Sequence, residues 1–177
     1  MPQITNVEFN TRFYAAEGAY NFEEGGGELD TFGYTRVEAF IDPGTGAKAI
    51  IYKNEHEYLI SFAGTENGAQ DWGQNLMNMG WGQWVWLESR LNLFFEDKEA
   101  TKIDFVGHSL GGALAQYAAY SFVSDGRISA TAITLTTFNG LGGITALSDT
   151  GNVDDFNANI LDGADEQSGT DHVLTRE

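Results

Sequence analysis

The chain has no cysteine. Disulfides and thiolate metal sites are therefore excluded, and the redox compartment is left open. Basic residues are scarce, with 9 Lys+Arg against 26 Asp+Glu and a formal charge of −17. Such a surface repels phosphate backbones and anionic membranes, so nucleic acid is not an expected partner. The plain account of so many carboxylates is a solvated, soluble surface. Long apolar runs are missing as well. No stretch approaches the roughly 20 apolar residues of a transmembrane helix, so no transmembrane segment is expected. The opening residues, Met1-Pro2-Gln3-Ile4-Thr5-Asn6, lack the basic and apolar regions of a signal peptide. The location stays open, cytoplasmic or exported by way of a signal not in this sequence. Histidine occurs only at 56, 108 and 172. These three never fall in ligand spacing with acidic residues, so neither a metal nor an organic cofactor is expected.

What remains is an ordinary globular composition. At 177 residues, 42% hydrophobic and 20% charged, the chain is one domain's worth of sequence and can bury a core. Val7, Phe9, Phe13, Tyr14, Ala16 and Tyr20 are spaced for an amphipathic helix over 5–22, with Thr5 or Asn6 as N-cap. A glycine-rich connector follows at 23–29, so residues 1–30 read as a helical extension and connector on a single domain. Strands are expected over 32–41, 47–53, 57–62, 102–106, 131–138 and 172–175, with a turn at Asp42-Pro43-Gly44-Thr45-Gly46. Strands separated by helical stretches in the second half predict an α/β fold, a mostly parallel central sheet with flanking helices. The 102–107 strand should lie near its middle, between the 57–62 and 131–138 strands.

The segment richest in chemistry runs from Ile103 to Ala115. An apolar β-type run leads into Gly107-His108-Ser109-Leu110-Gly111, and an Ala-rich helix from Leu110 to about Ser124 leaves it. This is the setting of a nucleophile elbow, in which small residues flank a strained turn that lifts a serine hydroxyl off the sheet. Ser109 is the candidate nucleophile. The amide of Leu110, at the helix N-terminus, is placed to donate to an oxyanion. Thr65 ends the apolar strand Leu59–Phe62 and follows Gly64, so it is a candidate second oxyanion donor. The alternative is that Thr65 only terminates a strand with a local hydrogen bond.

Gly107-His108-Ser109-Leu110-Gly111-Gly112-Ala113-Leu114-Ala115 resembles the nucleophile motif of the class 3 (fungal-type) lipases, within the α/β-hydrolase superfamily. Leu59–Thr65, followed by Asp71-Trp72 and Asn75-Leu76, is similar to that family's oxyanion strand and the segment after it. Leu135–Gly140 occupies the place of the strand after the nucleophile helix. The chain differs from the family in having Ala63 before the Gly-Thr pair and Asn139-Gly140-Leu141-Gly142 after the later strand. The resemblance implies an α/β-hydrolase fold and hydrolysis of a carboxylic ester, of lipid or acylglycerol type, through an acyl-serine intermediate.

The order nucleophile, acid, histidine expected of this superfamily leaves His172 as the only candidate base after Ser109. His108, next to the nucleophile in a tight turn, should point away from Ser109 Oγ and be structural. His56 sits on a polar hairpin connection and reads as a solvated loop residue. The resemblance places the acid near the end of the last β-type run, at Glu177 or just after, with the base further on. On that reading the fold is truncated at its C-terminal end, the chain hydrolyses esters weakly, and an exposed sheet edge favours self-association. The other reading is a compressed triad in which His172 is oriented by Asp154, Asp155, Asp162 or Asp165. A further alternative is an incomplete hydrolase scaffold acting as a binding module. The Trp-rich stretch from Trp72 to Phe95 also has two readings. It is either a helix whose Trp72, Trp81, Trp84, Trp86, Leu87, Leu91, Phe94 and Phe95 face the core, or one whose crowded Met77, Met79, Trp81, Trp84 and Trp86 form an acyl wall or lid.

Overall fold

A computed structural model describes residues 5–21, 27–64, 74–138 and 171–175. Helix α1, Asn6–Gly18, starts where its sequence dictates. The Thr5 side chain accepts from the Glu8 amide, while the Glu8 carboxylate accepts from Thr5 N at 2.9 Å and Thr5 Oγ1 at 2.8 Å. Two orphan amides of the first turn are thereby satisfied reciprocally. A short helix, α2, spans Gly27–Asp30 within the expected connector.

Six strands form one sheet in sequence order: β1 Thr35–Ile41, β2 Lys48–Asn54, β3 Glu57–Phe62, β4 Lys102–His108, β5 Ile133–Phe138 and β6 Asp171–Thr175. Helix α3, Gln74–Phe94, precedes β4, and helix α4, Leu110–Ser124, follows it. As expected, β4 lies between β3 and β5 and is parallel to both. The sheet as a whole is mixed, however, where a mostly parallel one was expected. β1, β2 and β3 pair antiparallel, and so do β5 and β6. Connection length is the reason for the first three. The turns at 42–47 and 55–56 are far too short for the crossover of a dozen or more residues that a parallel pair needs.

Alternation along the central strands divides the core into two layers. Ile51, Ile60 and Phe105 face α3 and α4, meeting Leu87, Leu91, Leu114 and Phe122. Their neighbours Ile50, Leu59 and Val106 face the other way, onto Ala15 and Ala16 of α1. On α3, Trp84, Leu87 and Leu91 are buried, as is Phe95 just after it, while Trp86 and Phe94 are half-buried and Trp81, Val85 and Leu93 are exposed. The core-facing reading of this helix thus holds for one stripe, while Trp81 stands outside it. Among the described residues, no helix is long and apolar enough to cross a membrane.

Polar contacts also fasten α1 to the sheet. Ser61 Oγ donates to the Ala15 carbonyl at 2.7 Å. Arg12 Nη2 lies 3.3 Å from Asp104 Oδ2, in an ion pair whose side chains are only 3% and 7% exposed. Lys102 Nζ reaches the other carboxylate oxygen at 3.4 Å.

Candidate active site

The turn between β4 and α4 has the geometry that its small residues allow. Ser109 sits at φ 56°, ψ −123°, a region that costs a non-glycine residue about 1–3 kcal/mol and persists only when its surroundings enforce it. The enforcement is visible. Ser109 N donates to the Phe138 carbonyl of β5 at 3.0 Å, and Gly112 N donates to the Ser109 carbonyl at 3.0 Å. A methyl group at Gly107 would collide with the Gly111 carbonyl, and one at Gly111 with the Phe62 carbonyl. Strand, turn and helix can therefore close on one another only with glycine at both places.

The result is a half-buried serine with its side chain making no hydrogen bond to any described residue. It sits at the positive end of a 15-residue helix, where amides without intrahelical partners favour a developing negative charge. Leu110, the first residue of that helix, has a buried side chain, and α3 packs against it. A methyl group on Gly80 would lie 2.9 Å from Leu110 Cδ1. Exposed Trp81 follows at once, edge-on to Tyr117 of α4 with ring centroids 5.7 Å apart.

His108 faces α1. Its Nδ1 is 3.0 Å from the Tyr20 hydroxyl, and the two rings meet edge-on. His56 is exposed in the β2–β3 turn, where its carbonyl accepts from Thr101 N at 2.9 Å. His172 lies on β6 opposite Thr137, which in turn pairs with Gly107. At the usual strand spacing its backbone is about 10 Å across the sheet from Gly107. Thr65, Asp71, Trp72, Glu177 and the four aspartates at 154, 155, 162 and 165 lie outside the described residues, as do the side chains of Met77, Met79 and His172. Gly64, one residue before Thr65, is described and is close to the elbow. A methyl group there would be 3.3 Å from Leu110 N. Sequence reasoning missed the part played by Tyr20 and by Arg12. Both act across some ninety positions (88 and 92), and no local pattern marks such partners.

With this geometry in place, the comparison with known families becomes specific. Residues 56–140, which contain β3, β4, α4, β5 and the elbow, match the class 3 lipases. The nucleophile segment belongs to the class 3 lipase family. Solved structures agree on the fold. A lipase from Rhizopus microsporus var. chinensis is 14% identical, with TM-score 0.52, the match covering 78% of this chain and 59% of that one. The Rhizomucor miehei triacylglyceride lipase is 14% identical, with TM-score 0.52 and coverage of 73% and 61%. A fungal lipase solved as an inhibitor complex, described as a model for interfacial activation, gives TM-score 0.58 at 14% identity, covering 98% and 86%. At such identities the likeness is one of fold, the α/β-hydrolase fold of the lipases. The match spans about three-fifths of the length of the first two of these lipases. No curated protein sequence matches the chain.

Proposed function

We propose that this class 3 lipase segment serves a serine hydrolase of lipid-type carboxylic esters that works through an acyl-serine intermediate. The observation that carries the reading is the Ser109 backbone, held at φ 56° between β4 and the N-terminus of α4. Ser109 Oγ attacks the ester carbonyl carbon, and the carbonyl oxygen becomes an oxyanion. The amides of Leu110 and Thr65 donate to it, each such donor being worth about 3 kcal/mol in the transition state. The nearness of Gly64 to Leu110 N supports Thr65 as the second donor. The alcohol leaves with the proton taken from Ser109, and water then deacylates the serine.

The proton must pass through a base. His172, on the strand two removed from Gly107, is the candidate within the chain, and Glu177 is the candidate acid that orients a base. The engagement of His108 with Tyr20 on the α1 side supports a structural role for it rather than that of the base. Exposed Trp81, beside the Gly80–Leu110 contact, is the candidate wall for an acyl chain. An apolar ring with 39% of its surface open suits aliphatic contact more than core packing.

The test is hydrolysis of nitrophenyl esters of rising acyl length by the chain and its Ser109→Ala variant. The proposal expects ester cleavage, however slow, that depends on Ser109 and varies with acyl length. Turnover equal in the variant, or none with any ester, would favour a non-catalytic binding role.

A further inference from the structure

The β3–β4 ladder ends at the pair Phe62–Gly107. Beyond it two functional segments must still be held together: Gly64, which leads into Thr65, and His108, which leads into Ser109. The next β3-side amide, Ala63 N, turns away to the Lys48 carbonyl of β2. The first amide after that, Gly64 N, donates instead to the hydroxyl of Tyr20 at 2.9 Å. The same hydroxyl lies 3.2 Å from the His108 carbonyl and 3.0 Å from His108 Nδ1.

We propose that Tyr20 is a positioning residue for the oxyanion hole, its hydroxyl clamping the Gly64 backbone, which leads into Thr65, against His108, which leads into Ser109. The inference rests on the ester-hydrolase reading above. A phenol oxygen has one proton and two lone pairs. One lone pair accepts from Gly64 N, and the proton goes either to the His108 carbonyl or to Nδ1. In the first case His108 Nδ1–H donates back to the hydroxyl. In either case one oxygen bridges the ends of both strands where ladder bonds have stopped. The fit leaves no room for a side chain, since a methyl group on Gly64 would lie 2.5 Å from Tyr20 Oη and 2.9 Å from the His108 carbonyl. Tyr20 lies outside the matched stretch 56–140, so the segment that carries the nucleophile is completed by a residue from the N-terminal region.

The consequence is kinetic. Removing a whole oxyanion donor costs about 10²–10³-fold in rate. Loosening one donor by a fraction of an ångström should cost about tenfold, in a site where a 1 Å misplacement can cost about a hundredfold. Reaction with a fluorophosphonate, followed to saturation, separates binding (KI) from bond formation (kinact). In Tyr20→Phe the proposal expects kinact to fall about tenfold with KI within about twofold. It also expects the Gly64 amide to lose protection in hydrogen exchange. Tyr14→Phe deletes a hydroxyl from α1, where the ring stacks on Phe32 away from the elbow, and should leave both constants unchanged. If the unaltered chain reacts at Ser109 and Tyr20→Phe reacts equally fast, the clamp is wrong and the hydrolase reading stands. If the unaltered chain does not react at Ser109, the hydrolase reading fails and the clamp falls with it.

Discussion

Replacing Asp104 with alanine removes the partner of a guanidinium that has almost no access to water. The Arg12 side chain is 3% exposed and its Nη2 meets Asp104 Oδ2 at 3.3 Å, while Arg12 Nε has no hydrogen bond. The contact is long and single rather than a short two-point fork, so the pair itself adds little net stability. Breaking it is another matter, because the charge left behind is uncompensated. Loss of one member of a buried pair costs about 3–5 kcal/mol, and the poor geometry places Asp104→Ala near the lower end, at about 3 kcal/mol. Converting both residues to apolar ones of similar size, Arg12→Met with Asp104→Leu, should be nearly neutral by the same argument. Urea unfolding followed by circular dichroism measures both, provided that the slope with denaturant stays constant across the variants. A cost below about 1 kcal/mol for Asp104→Ala would show that water reaches Arg12. It would refute the close docking of α1 on β4.

Three other outcomes follow from the packing and the caps. Leu87→Ala should cost about 2–5 kcal/mol in the same unfolding assay, whereas Trp81→Ala should cost about 1 kcal/mol or less and act chiefly on acyl-length preference. Equal costs would mean that the exposed and buried faces of α3 are misassigned. Gly111→Ala should disable the elbow, because the added methyl meets the Phe62 carbonyl, and a variant with unchanged stability and reactivity would contradict the close approach of α4 to β3. Hydrogen bonds from Thr5, first from its amide and then from its hydroxyl, hold the Glu8 carboxyl below its ordinary pKa. A depressed folded-state pKa stabilises above the unfolded value of about 4.3 and loses that effect as pH falls through the folded one. The stability difference between the wild type and Glu8→Gln should therefore be largest at neutral pH and fade in acid, and a difference that grows on acidification would reverse the assignment.

Much of the site-bearing half was legible in the sequence because local rules and tertiary demands agree there. Ile103–Val106 is apolar enough for a central parallel strand, buried on both faces. The glycines around Ser109 appear where backbone meets backbone, and Thr5, one of the two candidate N-caps, opens the first helix. The direction of the sheet was less legible. Helical stretches between the strands of the second half point to parallel pairing, which holds at β3, β4 and β5, whereas β6 pairs antiparallel and the turns at 42–47 and 55–56 make the first three strands a meander. For α3 the sequence shows more aromatic surface than one stripe can bury, yet only packing decides that Trp84 goes in and Trp81 stays out. The Tyr20 clamp and the Arg12–Asp104 pair were invisible because each joins a residue in or just after the first helix to a strand far along the chain. Such contacts exist only after the fold has formed.

A nucleophilic Ser109 is best tested by covalent capture of its hydroxyl. Incubation with a fluorophosphonate, followed by intact mass and peptide mapping, should give one adduct on the peptide carrying Ser109 and none in Ser109→Ala. An adduct on another residue, an adduct that survives Ser109→Ala, or no adduct at all would contradict the account.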